Sequence, residues 1–297
     1  MTQAKQFVLI GHPVGHSISP AIHRAAYGAL GLSHAYDAVD CATDEDVRRQ
    51  VERLRSGEIA GANVTVPHKL LALSLADRVD ESARVVQAAN VLLRDAQGLV
   101  VAHNTDALAL ADELGTPASD RAGLVIGNGG AALAAVMACR YAGLKEVGLT
   151  ARRFTSDSPS AQWPMAKELS AMGVTLLPWP NQATRAQQAF TQWAARAAVV
   201  IQATSSGMKG ADSGDAVAQL IPWNHLAQGA LLYDLVYNPA ITPFLRSAAE
   251  HQLRWKNGLG MLVGQAARAF SLWLGVEAPI QIMREAAEKA LQPRGAA

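Results

Sequence analysis

The chain has 297 residues, half of them hydrophobic and 17% charged, with a formal net charge of +1 at pH 7. That length suits two ordinary domains, and the apolar share is enough for a sizeable core. No basic block is present (the Arg152-Arg153 pair is local), which argues against a nucleic-acid partner, because phosphate backbones demand clustered Lys and Arg.

Short β-like runs alternate with helical patterns along most of the chain. Phe7–Ile10 reads as a buried strand, and residues 19–30 as a helix with Ser19 as N-cap and Pro20 at its first position. Strand-like runs follow at 36–39 and 59–64, with helices at 45–54 and 67–75. Two strands at 91–94 and 99–103 are joined by a turn at Ala96-Gln97-Gly98. The second half keeps a cleaner rhythm: a strand at 124–126, a glycine turn, a helix over 131–142, and a strand at 146–150. Next come a helix at 165–172 and strands at 174–177, 197–202 and 231–235. Residues 154–164, rich in Ser, Pro and Asp, read as an extended loop, and 259–274 and 280–291 as two closing helices. Strands alternating with helices imply α/β architecture with parallel sheets. The expected fold is two α/β domains. The first is a substrate domain of residues 1–105, completed by 239–297. The second is a Rossmann-like dinucleotide domain of 106–238.

Two cysteines, Cys41 and Cys139, lie far apart without a CxxC spacing, so neither a disulfide framework nor a zinc site is expected. His12, His16 and His68 stand near the polar motifs but show no ligand spacing, and read as structural. The run at 7–10 is too short for a signal peptide, and no apolar stretch could span a bilayer. The expectation is a soluble cytoplasmic protein, monomer or homodimer, with a small-molecule partner and no membrane contact.

Gly127-Asn128-Gly129-Gly130-Ala131 follows a strand and opens a helix, the setting of a dinucleotide fingerprint. Glycines let a pyrophosphate approach the backbone, and a helix N-terminus favours its charge. After the next strand, where many NAD sites carry an acidic residue, stand Ala151-Arg152-Arg153. Guanidinium groups suit a 2′-phosphate, so the cofactor leans to NADP, with NAD open; solvated surface arginines are the plainer alternative.

Ser17 and Ser19 flank a helix start, where hydroxyls and free N–H groups suit a carboxylate; for Ser19, capping alone would suffice. Asn63 and Thr65 alternate at the end of an apolar strand and so face one side. Lys69 falls in the first turn of a helix, where the dipole opposes a cation, which suits a group that exchanges protons; taken alone, a solvated lysine is the plainer reading. Asp106 is its natural partner, though a helix-starting Asp is frequent. Asn90 and Gln265 are amides in apolar surroundings, either satisfied in a core or reaching a substrate hydroxyl.

These motifs resemble the shikimate dehydrogenase family nearly end to end. The resemblance is carried by Gly11 to His23, Asn63 to Lys69, Asn104-Thr105-Asp106, Ala203 to Met208, Asp234 to Pro239 and Asn257 to Ala267. It implies reversible NADP-linked oxidation of shikimate, a cyclic hydroxy acid, to 3-dehydroshikimate. By that likeness Ser17 and Ser19 bind the carboxylate, while Asn63, Thr65, Asn90, Asp106, Tyr237 and Gln265 hold ring hydroxyls. Lys69 paired with Asp106 shuttles the proton. Gly127 to Ala131, Arg152 and Arg153 take the cofactor phosphates, and the backbone at Leu235 and Gly258 flanks the nicotinamide. Glu81 falls near the cofactor in the same pattern. Departures include Val91 for threonine, Ala102 and Ala107 for glycines, Leu133 for arginine, and Ala151 and Gln202 for asparagines. They leave room for quinate, an amino analogue, NAD, or a cofactor-sensing module without catalysis.

Overall fold

The computed structural model describes residues 3–117, 120–154, 163, 165–180 and 184–292, so most of the loop expected at 154–164 lies outside the described residues. The chain divides into two compact units, Met1–Ala109 with Leu262–Ala297, and Leu110–Met261.

The first unit is built on six strands: β1 (Gln6–Gly11), β2 (Ala35–Asp40), β3 (Gly61–Val64), β4 (Arg78–Val79), β5 (Val91–Arg94) and β6 (Val100–His103), in the order β2-β1-β3-β5-β6-β4. β1 runs parallel to both neighbours, whereas β5 is antiparallel to β3 and β6. Alternation sends Val8, Ile10, Ala62 and Val64 to one face, where they pack with Val47, Val51 and Leu54 of α2 (Asp44–Ser56). Helix α2 is well specified locally, with a Thr43–Asp46 capping box at its start and Gly57 in the left-handed conformation at its end. The other face carries an aromatic cluster of Phe7, Tyr27 of α1 (Ser19–Ala29), and Trp273 of α11 (Leu259–Leu274). Gly61 is required beneath that indole, since a Cβ there would meet Trp273 Nε1 at 2.5 Å. Helix α12 (Ile280–Leu291) packs on α1.

Two helix starts differ from expectation. Helix α1 has Ile18 as N-cap with no side-chain bond, so Ser19 is its first residue, because Ile18 already has helical angles. Helix α3 (Lys69–Leu75) begins two residues after Pro67, because residues 65–68 close a turn through His68 N–H donating to Thr65 O at 3.0 Å. Helix α4 (Glu81–Val86) and the short β4 were not expected; α4 is capped by the Asp80 carboxylate. Helix α5 (Asp106–Leu114) ends the first pass through this unit.

The second unit holds an all-parallel sheet of β7 (Ala122–Ile126), β8 (Glu146–Thr150), β9 (Val174–Leu177), β10 (Ala197–Gln202), β11 (Leu231–Asp234) and β12 (Arg254–Lys256). Their order, β9-β8-β7-β10-β11-β12, reverses direction between β7 and β10, the doubly wound arrangement that creates a crevice beyond the strand ends. Helices α6 (Gly130–Tyr141), α7 (Ala166–Ala171), α8 (Thr184–Arg196), α9 (Asp215–Leu220) and α10 (Pro243–Glu250) connect the strands. Of these, α8 and α9, like β12, were not anticipated. The core joins Leu124, Ile126, Val200 and Leu232 of the sheet to Phe190, Phe244 and Leu245 of the helices. Residues 239–261, expected with the first domain, belong here. β12 pairs with β11, and α10 buries Phe244 and Leu245 in this core.

Candidate functional site

In the first unit, four of the singled-out side chains come together: Lys69 of α3, Asn90 just ahead of β5, Asp106 of α5 and Gln265 of α11. Lys69 Nζ donates to Asp106 Oδ2 at 2.5 Å, with the two side chains only 13% and 5% exposed. A charge buried this far persists only when paired and hydrogen-bonded. The other carboxylate oxygen, Asp106 Oδ1, accepts from Asn90 Nδ2 at 2.8 Å, and Asp106 N–H donates to Asn104 Oδ1 at 3.0 Å. Asn90 cannot be turned over: Thr105 N–H donates to its Oδ1 at 2.8 Å, which places Nδ2 toward Asp106, Thr105 Oγ1 (2.9 Å) and Gln265 Oε1 (3.4 Å). Gln265 is held by its own Nε2 donating to Leu262 O. Ala107 is buried, and its N–H also donates to Asn104 Oδ1, so the methyl that replaces glycine has not displaced Asp106 from Lys69.

Asn63 lies on β3 and Thr65 one residue beyond its end. Asn63 Nδ2 donates to Asn90 O at 3.2 Å and Asn63 Oδ1 accepts from Tyr36 Oη at 2.7 Å. Gly11 makes room for Thr65: a Cβ at 11 would sit 2.3 Å from Thr65 Cγ2. Ser17 and Ser19 lie together. Ser17 Oγ donates to Ser19 Oγ at 3.2 Å and accepts from Ser19 N–H at 3.3 Å, so part of the expected free N–H capacity is used internally. His12 and His68 are fixed structurally, His12 on Asp40 Oδ2 (2.9 Å) and His68 on Cys41 O (2.7 Å). Glu81 is exposed and pairs with Arg84. Among the described residues no group of three or more His, Cys, Asp or Glu could hold a metal ion.

In the second unit, the crevice-forming end of β7 carries the glycine turn. Gly127 has φ +135°, and its Cβ would meet Ala203 O at 2.7 Å, so the protein itself demands glycine there. Gly129, the N-cap of α6, differs: its backbone is ordinary, and nothing lies within 4 Å of where a Cβ would be. No side chain caps α6, which leaves first-turn N–H groups near Asn128, Gly130 and Ala131 available to an anion. Ala151 is buried at the end of β8, and Arg152 and Arg153 are exposed. Asp212 is held below the usual carboxylate range, by the Ser206 hydroxyl first and by the Arg152 charge to a lesser degree.

Beyond β11, Gly258 N–H donates to Val236 O at 3.1 Å, and a Cβ at 258 would lie 2.1 Å from Leu235 O. The two backbone positions singled out as a pair are therefore in contact. Tyr237 is half-buried, and burial raises its phenol above the usual range. Asp234 is buried and pushed up to about 7 by burial, despite hydrogen bonds from Thr242 and Val236 N–H. Gln202, replacing asparagine, still ties this end together. Its Nε2 reaches Ser206 O at 2.9 Å and Asp234 Oδ1 at 3.3 Å, and its Oε1 accepts Thr204 N–H.

The sequence assigns no role to three residues that hold candidate groups, Tyr36 and Asn104 in the first unit and Asp234 in the second. Asn104, two residues ahead of a helix-starting Asp, carries a local signal for its bond to Asp106 N–H. Tyr36 carries none.

Comparison with known proteins gives one consistent family. Residues 9–92 match the model of a shikimate dehydrogenase substrate binding domain, and 258–288 that of the shikimate 5′-dehydrogenase C-terminal domain. A shikimate dehydrogenase (NADP(+)) of Desulforamulus reducens is 33% identical over 95% of this chain and 94% of its own. That of Geobacter sulfurreducens is 36% identical over 93% of each. The crystal structure of shikimate 5-dehydrogenase from Thermus thermophilus, in complex with NADP(H) and shikimate, aligns with TM-score 0.78 at 32% identity, covering 97% of this chain and all of that one.

Proposed function

The chain belongs to the shikimate dehydrogenase family, and we propose that it catalyses the reversible NADP-linked oxidation of shikimate to 3-dehydroshikimate. The observation that carries this reading is the buried Lys69–Asp106 pair, held at 2.5 Å within a cage of amides and hydroxyls from Asn90, Thr105 and Gln265. A polar cage of this kind suits a polyhydroxylated ring. Ser17 and Ser19 would take the substrate carboxylate, and Asn63, Thr65, Asn90 and Gln265 its hydroxyls.

Lys69 is the proton carrier. In ketone reduction its ammonium donates a proton to the oxygen that becomes the hydroxyl; in oxidation the neutral amine accepts that proton. Asp106 keeps Nζ in place and accepts from the reacting hydroxyl, while Asn90 holds the other carboxylate oxygen and Asn104 accepts from the Asp106 backbone N–H. NADP would supply the hydride exchange. The residues fit it: Gly129 leaves space the protein does not use, the α6 N-terminus offers donors, and Arg152 and Arg153 are exposed for a 2′-phosphate.

The test is the initial rate of nicotinamide reduction with shikimate or quinate, each with NADP or NAD. Fast turnover of shikimate with NADP supports the proposal. Preference for quinate or NAD would keep the chemistry and correct the substrate or cofactor, and cofactor binding with no turnover of either acid would point to a different substrate or a non-catalytic role.

A further inference from the structure

We propose that Tyr36 is a positioning residue for substrate binding, its hydroxyl fixing the Asn63 amide so that one N–H is presented to a substrate oxygen. This rests on the reading that Asn63 touches the substrate. Tyr36 and Asn63 are not on adjacent strands. β1 lies between them, with Phe7 level with Tyr36 and Leu9 level with Asn63, so both side chains share one sheet face a step apart. Only a side chain as long as tyrosine spans that offset, and Oη reaches Asn63 Oδ1 at 2.7 Å.

The polarity of this contact follows from its surroundings. Asn90 O can only accept, so the Asn63 nitrogen faces it, at 3.2 Å, and the Asn63 oxygen faces Tyr36. Tyr36 therefore donates. Burial holds its phenol well above the usual tyrosine range, so it remains a donor at every working pH. With Oδ1 engaged and one N–H on Asn90, the amide retains its second N–H for a ligand.

The phenol is itself held. His23 stacks on it with centroids 4.2 Å apart and planes 5° from parallel. Burial depresses the His23 imidazole to about 3, outweighing the opposing pull of the nearby Asn63 side chain, so the stacked ring is neutral. Neither His23 nitrogen has a hydrogen-bond partner of good geometry among the described residues, which leaves ring stacking as its evident contribution.

The experiment is a double-mutant cycle with Tyr36→Phe and Asn63→Ala, reading KM and kcat for shikimate, KM for NADP, and shikimate affinity by calorimetry. Tyr36→Phe keeps the stacked ring and removes only the donor. It should raise the shikimate KM about five- to tenfold with kcat within twofold and the NADP KM unchanged. In the Asn63→Ala background the same change should cost less than twofold. An equal cost in both backgrounds would overturn the proposal and leave Tyr36 with a packing role alone. Unchanged affinity in Asn63→Ala would overturn both the proposal and the placement of Asn63 at the substrate. No shikimate affinity in the wild-type protein would instead refute the functional reading beneath it.

Discussion

The two units build their candidate sites from opposite materials. Around Lys69 the first unit gathers charged and amide side chains, each pinned by a neighbour of fixed polarity. Around Gly127 and Gly258 the second unit works by omission: side chains are missing where backbone must pass close to backbone. A side-chain site fails when a functional group is removed, and a backbone site fails when an atom is added. The sharpest tests therefore subtract in one unit and add in the other.

The largest effect is expected from subtraction. Lys69→Ala should lower kcat about 10³-fold, within the range for loss of an acid–base group. It should also lower the Tm, because Asp106 keeps its buried charge without its cation. NADP affinity measured by fluorescence should stay unchanged, since that property belongs to the other unit. Turnover within tenfold of wild type would remove Lys69 from the chemistry.

Addition should act in the second unit, and two glycines separate its purposes. Gly258→Ala forces a methyl to 2.1 Å from Leu235 O, where backbone cannot yield cheaply. Destabilisation of about 1–3 kcal/mol is expected in denaturant melts, with weaker NADP binding as a consequence. Gly129→Ala meets nothing, at backbone angles alanine accepts. Stability should therefore stay within about 0.5 kcal/mol. NADP affinity should still fall about tenfold if that space belongs to a pyrophosphate. Equal affinity in Gly129→Ala would make the turn a purely structural one.

Asp234 is the exception that sharpens the contrast, a charge-bearing side chain inside the backbone-built site. Its folded value of about 7 lies above the ordinary 3.8, so the folded state holds the proton longer than the unfolded state does. The residue's contribution is full below pH 4 and declines as pH rises toward 7. Asp234→Asn, which keeps an acceptor for Val236 N–H, should flatten that decline and gain on the order of 1–3 kcal/mol relative to wild type at pH 8. Unfolding followed between pH 4.5 and 8 checks this, and parallel curves for the two proteins would refute it.

The same contrast decides what could be read from the sequence. Asn90 and Gln265 stand out as amides in apolar surroundings, and Lys69 and Asp106 by their places at helix starts. The doubly wound sheet was legible because its strands are continuous apolar runs, as in Val199-Val200-Ile201. β12, three exposed residues, offers neither apolar run nor alternation, and so the unit boundary was misplaced. Ser19 failed as a cap because Ile18 takes helical angles, which no residue type announces. Tyr36 lies 27 residues from Asn63, and its bond depends on the register of two strands against a third. Such contacts belong to topology, and a linear pattern does not carry them.

A further effect, of the same size as that expected for Gly129→Ala, concerns Arg152, an exposed charged side chain just after β8 that we propose reads the cofactor phosphate. Arg152 is exposed, and Asp212 is the carboxylate that feels its charge. Exposed charges act weakly and are screened by salt. Arg152→Gln should therefore raise the NADP KM only about tenfold, near 1.4 kcal/mol, and leave the NAD KM unchanged, because only NADP carries the 2′-phosphate. The difference should shrink as ionic strength rises from 0.05 to 0.5 M. If both cofactors weaken together, Arg152 shapes the loop after β8 and does not read the phosphate. If neither weakens, this arginine is one of the solvated surface charges that its exposure alone would suggest, and the preference for NADP must come from elsewhere in the unit.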